Sequence, residues 1–211
     1  MIIAGVASET SGVQHPMTVT EPRCGDALVI IDVQNDFLPG GCLGVRGGHE
    51  AVDVMNRYIA TFREHQLPIL ATRDWHPQNH CSFEIRGGMW PRHCVAHSHG
   101  AAFPSALTIP CETVIVSKAT TPEQEAYSAF ESTELCARLR DLNIHRLFVC
   151  GLATEYCVLA TVHDALRLGF QVLVLEDGIR AVDLAAGNGE RALEEMCRLG
   201  AKIISLEAIE A

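Results

Sequence analysis

From residue 26 onward, short runs of aliphatic residues alternate with longer stretches that carry apolar residues at helical spacing. The aliphatic runs do not alternate with polar residues, which indicates strands that are buried on both faces. The longer stretches repeat apolar residues every three or four positions, which is typical of amphipathic helices. The predicted strands are ALVIID, LPILATRD, ETVIVSK, RLFVCG, QVLVLED and KIISL, and the predicted helices are HEAVDVMNRYIATFREH, STELCARLRDLN, TEYCVLATVHDALRLG and NGERALEEMCRLG.

This order of elements predicts an α/β fold, namely a doubly wound, mainly parallel six-stranded sheet with helices on both faces. We expect one domain over residues 26–211, because no linker, repeat or low-complexity tract interrupts that range. Residues 1–25 contain turn-forming residues without a sustained period, and we interpret them as an N-terminal extension. Ligands in doubly wound folds bind beyond the carboxyl ends of the strands, so the residues that end each strand are the first candidates for chemistry.

Composition excludes several classes of partner. The 211 residues are 48% hydrophobic, and 26 acidic against 16 basic residues give a net charge of -10. No basic patch is present, so we expect neither nucleic acid nor a membrane surface as a partner. The first residues also lack the pattern of a signal peptide or a membrane span. The nine cysteines are scattered and odd in number, which favours a reduced, cytoplasmic setting.

A cluster of metal-binding residue types follows the second predicted strand. The stretch RDWHPQNHCSFEIRGGMWPRH contains Asp74, His76, His80 and His93. Extended residues two apart share a face, so Asp74 and His76 can point the same way, and His93 can complete a three-ligand site. A carboxylate with imidazoles suits a first-row divalent ion, and three protein ligands leave room for water or substrate. The alternative is a run of exposed loop histidines.

Three further strand ends carry reactive side chains. Asp32 ends the first strand, Lys118 ends the third, and Cys157 lies in the first helical turn after the fourth. Each has a common structural role: a turn cap, a solvated lysine, or a small buried thiol. A helical first turn can lower the pKa of a thiol, which favours Cys157 as a nucleophile. Together the three side chains predict a nucleophile, its base and a charge partner beside the metal cluster.

With these residues identified, the chain resembles the nicotinamidases, metal-containing members of the isochorismatase-like cysteine hydrolases. The resemblance rests on IIDVQNDFLPGG, RDWHPQNHCSF, WPRHCV, VSK and CGLATEYCV, which occur in the family's order. It implies an isochorismatase-like fold, with Asp32 as proton shuttle, Lys118 as the third triad member and Cys157 as nucleophile. It also implies Asp74, His76 and His93 as metal ligands. His80 corresponds to a ligand in only some relatives.

The resemblance also implies residues around the substrate. Phe37, Trp90 and Tyr127 fall where the family places aromatic residues about the pyridine ring, although ordinary core packing would use the same residue types. The backbone N–H groups of Ala153 and Cys157 would form the oxyanion hole, with a cis peptide between Leu152 and Ala153. The sequence departs from the family pattern after WPRHCV, where AHSHGAAF adds His97 and His99 near the predicted metal site.

The activity that the resemblance implies is hydrolysis of nicotinamide to nicotinate and ammonia through a cysteine thioester, in NAD salvage. It implies one divalent metal ion, with zinc favoured over iron or manganese, and a homo-oligomer. Two alternatives stay open. One is a metal-independent cysteine hydrolase of an N-carbamoyl or ureido compound, which would not need the metal cluster. The other is a non-catalytic thiol or metal-binding protein.

Overall fold

The computed structural model describes residues 20–210 and contains a six-stranded sheet in which every strand pair is parallel. The strands are Asp26–Ile31 (β1), Ile69–Asp74 (β2), Val114–Lys118 (β3), Arg146–Leu152 (β4), Gln171–Arg180 (β5) and Lys202–Ile204 (β6). The helices are Gly48–Glu64 (α1), Leu135–Asp141 (α2), Leu159–Arg167 (α3), Asn188–Leu199 (α4) and Glu207–Glu210 (α5). The predicted doubly wound fold is confirmed.

The sheet has the spatial order β3-β2-β1-β4-β5-β6, so the chain reverses direction across the sheet between β1 and β4. All six residues of β1 are buried, as expected for a central parallel strand covered on both faces. Such a reversal leaves a crevice at the carboxyl ends of the two central strands, where ligands of doubly wound folds bind.

Alternate residues of β1 belong to two separate cores. Leu28 and Ile30 pack into a cluster that includes Met55 and Phe62 of α1. Val29 and Ile31 pack into the opposite cluster, which contains residues of α2, α3 and α4. This separation follows from the two-residue period of a strand, and it places helices on both faces of the sheet.

Some element boundaries differ from the predicted ones. β5 continues beyond the predicted end at Asp177, because a register shift against β4 lets Ile179 and Arg180 pair with Gly151 and Leu152. The predicted helix after β4 begins as a π-helical turn over Thr154–Val158, and regular α-helix starts only at α3. Wide turns of this kind occur often at functional sites.

Most of the predicted N-terminal extension, residues 1–19, lies outside the described residues. Within the described part, the Thr20 N–H donates to the Ala208 carbonyl at 2.7 Å, and Arg146 donates to the Glu21 carbonyl at 3.2 Å. Residues 20–25 therefore contact the domain, and the proposed boundary at residue 26 coincides with the start of β1. Among residues 20–210, no helix combines the length and the apolar character needed to cross a membrane.

Candidate active site

The predicted catalytic side chains meet at the crevice between β1 and β4. Asp32 directly follows β1, Lys118 ends β3, and Cys157 lies in the π-helical turn after β4. The Lys118 ammonium nitrogen Nζ is 3.0 Å from Asp32 Oδ2 and 3.5 Å from Cys157 Sγ. The ammonium also donates to the Ala126 carbonyl at 2.9 Å and to Asp74 Oδ1. One buried cation therefore joins the acid and the thiol.

The two oxygens of Asp32 have different surroundings. Oδ1 accepts a hydrogen bond from the Thr72 hydroxyl at 2.6 Å. Oδ2 has no hydrogen-bond partner among residues 20–210 beyond its ion pair with Lys118. Because the Asp32 side chain is fully buried, Oδ2 is not hydrated from the surface. This oxygen is the one available to accept a proton from the neighbouring thiol.

The pKa shift of the Cys157 thiol has the opposite direction to the expected one. Burial raises the pKa of the Cys157 thiol well above its usual value, while Lys118 opposes the rise and Asp32 adds to it. The expectation of a lowered thiol pKa is therefore wrong, because burial raises this pKa more than the charge of Lys118 lowers it. The resting thiol is protonated and requires a base.

Burial also acts on the pKa values of Asp32 and Lys118. Burial raises the pKa of Asp32, and the positive charge of Lys118 opposes this rise. Burial favours the neutral form of Lys118, but the carboxylates of Asp32 and Asp74 hold its pKa well above the usual range. Lys118 therefore stays charged and keeps both carboxylates compensated.

Asp74, His76 and His93 form a compact buried group, with one potential ligand atom from each within 4.8 Å of the others. Nδ1 of His76 lies 3.2 Å from the Ala119 carbonyl, and Nδ1 of His93 lies 2.8 Å from the Pro91 carbonyl. Carbonyl oxygens only accept, so both histidines carry a proton on Nδ1, which leaves Nε2 as the nitrogen for a further partner. This is the tautomer that binds a metal through Nε2.

His76 Nε2 is itself an orphaned atom. It is buried, has no hydrogen-bond partner among the described residues, and lies 3.7 Å from Asp74 Oδ2. Burial, followed by the proximity of His93 and His80, lowers the pKa of His76 to about 3, so the imidazole is neutral. A buried, neutral, unpaired nitrogen beside a carboxylate fits a divalent cation, because the cation would supply the missing partner.

The structure does not bring His80 into this group. Its ring stacks on His76, but Nε2 lies 2.9 Å from the Gln124 carbonyl and Nδ1 lies 2.7 Å from the Ser82 hydroxyl. Nε2 must therefore carry the proton, and Nδ1 accepts from Ser82. Neither nitrogen has a lone pair left for a metal.

The two additional histidines also lie apart from the metal group. His97 packs edge-on against Trp75, with ring centroids 5.0 Å apart. His99 contacts Asn35, whose amide donates to the His99 carbonyl at 2.8 Å. Neither belongs to the cluster of potential ligand atoms found among the described residues.

A cavity of about 240 Å³ connects the Cys157 thiol to Asp74 and His93 of the predicted metal site. The predicted aromatic residues Phe37, Trp90 and Tyr127 all line it. The Trp90 indole N–H donates to the Tyr127 hydroxyl at 2.9 Å, which joins the loop after β2, where the predicted metal ligands lie, to the loop after β3. Larger and more polar clefts of about 720 and 700 Å³ lie elsewhere and contain none of the predicted site residues.

Residues 153–157 contain the predicted nucleophile and are called the nucleophile turn below. They contribute both predicted oxyanion residues to the same cavity. Ala153 and Cys157 line it, and the peptide between Leu152 and Ala153 is cis, as the family resemblance implied. Gly151 precedes this peptide with φ of 125° and lies against Ile31, where an added Cβ would fall 2.1 Å from the Ile31 carbonyl oxygen. Only glycine fits this close approach of β4 to β1.

Comparison with known proteins decides the family. A model of the isochorismatase domain matches residues 26–208. The chain belongs to this family. It is 38% identical over 201 residues to nicotinamidase of Escherichia coli, an alignment that covers 85% of this chain and 94% of that protein. The predicted resemblance is confirmed.

Solved structures agree with this assignment. The zinc complex of pyrazinamidase from Pyrococcus horikoshii superposes with a TM-score of 0.83 at 48% identity, covering 86% of this chain and 99% of that one. PnC1 from L. infantum in complex with nicotinate also superposes with a TM-score of 0.83, at 37% identity, covering 90% of this chain and 98% of that one.

In this isochorismatase-family protein, the structure adds two site residues that the sequence did not identify. Gln34 is fully buried and holds both peptide groups of Asp74: its carbonyl accepts from the Asp74 N–H at 2.7 Å, and its amide donates to the Asp74 carbonyl at 2.8 Å. Tyr156 lines the cavity and packs edge-on against Trp90. Two features of the sequence point to these residues. Gln34 is a polar residue in the apolar segment IIDVQ, and Tyr156 is an aromatic residue next to Cys157.

Proposed function

We propose that the protein is a metal-dependent amidohydrolase that converts nicotinamide to nicotinate and ammonia through a thioester on Cys157. The observation that carries this proposal is the buried junction of Lys118 Nζ with Asp32 Oδ2 at 3.0 Å and with Cys157 Sγ at 3.5 Å. It supplies a nucleophile, a base and a charge partner at one end of a small aromatic cavity. The nicotinamidase relatives support the choice of substrate.

Proton transfer starts the reaction, because the buried thiol rests protonated. Asp32 Oδ2 takes the Cys157 proton while the sulfur bonds to the carboxamide carbon. The carbonyl oxygen becomes an oxyanion, for which the N–H groups of Ala153 and Cys157 are the proposed donors. One such donor contributes about 3 kcal/mol to transition-state stabilisation in other hydrolases.

Asp32 then returns the proton to the amide nitrogen as the C–N bond breaks and ammonia leaves. Water attacks the thioester with Asp32 again as the base, and nicotinate is released as the Cys157 thiol is restored. Lys118 remains charged throughout and holds the carboxylate and sulfur in register. Atoms balance over the cycle, since one water is consumed for each nicotinamide.

Asp74, His76 and His93 would hold one divalent metal ion, and we propose zinc because two imidazoles and a carboxylate suit it. When bound, the metal supplies a Lewis-acid anchor for the pyridine nitrogen. Phe37, Trp90 and the other aromatic side chains would enclose the ring and exclude water from the reacting carbon. The similarity to a pyrazinamidase whose structure is a zinc complex supports the choice of zinc.

We also propose that the reaction serves NAD salvage, because its product is the free pyridine carboxylate. A reduced, cytoplasmic setting is supported by the nine cysteines, all of which are free thiols. A homo-oligomer remains part of the proposal through the family resemblance alone. The N-carbamoyl alternative has no role for the clustered Asp74, His76 and His93. The non-catalytic alternative has no role for the buried group of Asp32, Lys118 and Cys157.

The decisive experiment measures ammonia release from nicotinamide by the purified protein as isolated, after chelation, and after zinc is restored. We expect release that falls with metal content and recovers with zinc. Activity that ignores the metal would refute the metal-dependent mechanism. No release from the zinc-loaded protein, combined with release from an N-carbamoyl amino acid, would refute the proposed substrate.

A further inference from the structure

One wall of the cavity is built by residues 181–187, which connect β5 to α4 and are called the rim segment below. Val182 and Leu184 of this segment line the cavity together with Cys157. Leu184 is also 65% exposed to solvent. The rim segment contains no regular secondary structure, so its position depends on contacts with neighbouring elements.

Glu155 makes the contact that fixes the rim segment to the nucleophile turn. Its Oε1 accepts a hydrogen bond from the Asp183 N–H at 2.7 Å, and its Oε2 accepts one from the Val182 N–H at 3.2 Å. Hydrogen bonds from N–H groups to a carboxylate are stronger than those between neutral groups. Glu155 is half-buried and is not among the residues that line the cavity.

The rim segment is also joined to α4. Asp183 adopts a left-handed backbone with φ of 54°, and its Oδ1 accepts from the Gly189 N–H at 2.9 Å. Gly189 packs so closely on Ala181 that an added Cβ would fall 2.5 Å from the Ala181 side chain. Asp183 is thus bonded through its N–H to the nucleophile turn and through its carboxylate to α4.

We propose that Glu155 is a positioning residue that holds the rim segment against the substrate cavity and thereby sets the affinity for the substrate ring. It acts through Val182 and Leu184 rather than on the reacting atoms. Because Glu155 lies midway between Ala153 and Cys157, the rim keeps a fixed position relative to the thiol. This inference rests on the proposed amidase function for its kinetic consequence, whereas the hydrogen-bond contact is independent of it.

The test compares zinc-loaded wild-type protein with Glu155→Ala and Glu155→Gln, and uses Glu194→Ala as a matched control on the exposed side of α4. Hydrogen exchange is measured over residues 181–187, and kcat and KM are measured with nicotinamide. We expect Glu155→Ala to accelerate exchange in the rim segment and to raise KM about tenfold, equivalent to about 1.4 kcal/mol. kcat should change by less than about threefold, since the triad is untouched.

Glu155→Gln should give intermediate exchange and an intermediate KM, because one amide oxygen replaces two carboxylate oxygens. It also keeps the proposal testable if the alanine variant fails to fold. Unchanged exchange in residues 181–187, or a loss confined to kcat with KM unaltered, would overturn the proposal. An inactive wild-type enzyme would instead overturn the proposed function, while the exchange comparison would still decide whether Glu155 holds the rim segment.

Discussion

Replacing Lys118 with methionine tests whether one buried cation holds the site together. Lys118 is 1% exposed, and its ammonium contacts the carboxylates of Asp32 and Asp74 as well as the sulfur of Cys157. Methionine fills similar space without the charge. It would leave two buried carboxylates facing each other without compensation.

The expected cost follows from this burial. Removing one partner of a buried ion pair typically destabilises a protein by about 3–5 kcal/mol, because the remaining charge is desolvated and unpaired. For a chain of this size, 1 kcal/mol shifts the melting temperature by about 2–4 °C. We therefore expect Lys118→Met to melt about 6–20 °C below the wild type in the metal-free state.

The assay is thermal unfolding of metal-free proteins followed by circular dichroism. The double variant Lys118→Met with Asp32→Asn separates charge from packing, because it removes one of the two uncompensated carboxylates. It should regain at least about 1 kcal/mol relative to Lys118→Met alone, a coupling within the range observed for contacting residues. Lys202→Met, an exposed lysine of β6, is the matched control and should melt like the wild type.

Two outcomes would refute this reasoning. If Lys118→Met melts within about 2 °C of the wild type, the buried carboxylates do not depend on the ammonium, since a smaller shift corresponds to under about 1 kcal/mol. If the double variant is no more stable than Lys118→Met, the loss comes from packing rather than from charge.

The remaining predictions concern the nucleophile and the metal. Cys157→Ala should lower ammonia release from nicotinamide at least about a thousandfold while zinc content stays normal. The control variant Cys197→Ala should remain active. Near-normal turnover by Cys157→Ala would exclude the thiol as nucleophile. His76→Ala should lose zinc in a chelator competition, because Nε2 of His76 has no hydrogen-bond partner among the described residues. His80→Ala should keep its zinc affinity within about threefold, because both nitrogens of His80 are hydrogen-bonded. Equal losses would make His80 a ligand. Gln34→Met should weaken zinc binding about tenfold, since residues that orient metal ligands typically contribute 10–100-fold to metal affinity. An unchanged zinc affinity would show that Asp74 does not need Gln34 to hold it in position.

The fold was accessible from sequence because its information is local and repeated. Each strand of the parallel sheet is buried on both faces, so its whole run is apolar, and the two-face burial of β1 confirms this interpretation. Element ends were less accessible. The extension of β5 to Arg180 depends on a register shift against β4, which is a contact between distant segments and leaves no period in the sequence.

The residues of the candidate site can likewise be predicted from the sequence only in part. Strand ends in the sequence predict Asp32, Lys118 and Cys157 as site residues. The tertiary structure brings them within contact distance although 125 positions separate Asp32 from Cys157. The expected low thiol pKa was wrong, because the sequence shows the helical turn but not the depth of burial. The sequence does not indicate the role of Gln34, because its partner Asp74 is 40 positions away.

The sequence by itself determined the parallel architecture. It also predicts the acid, cation and thiol of the proposed triad and the three side chains of the proposed metal site. Only the tertiary structure decided how each group is partnered. The nitrogens of His80 are occupied by Ser82 and Gln124, while Nε2 of His76 is unpaired. Residue type and spacing specify which atoms can bind a proton or a metal, but the protonation and availability of those atoms depend on burial and on neighbours supplied by distant segments.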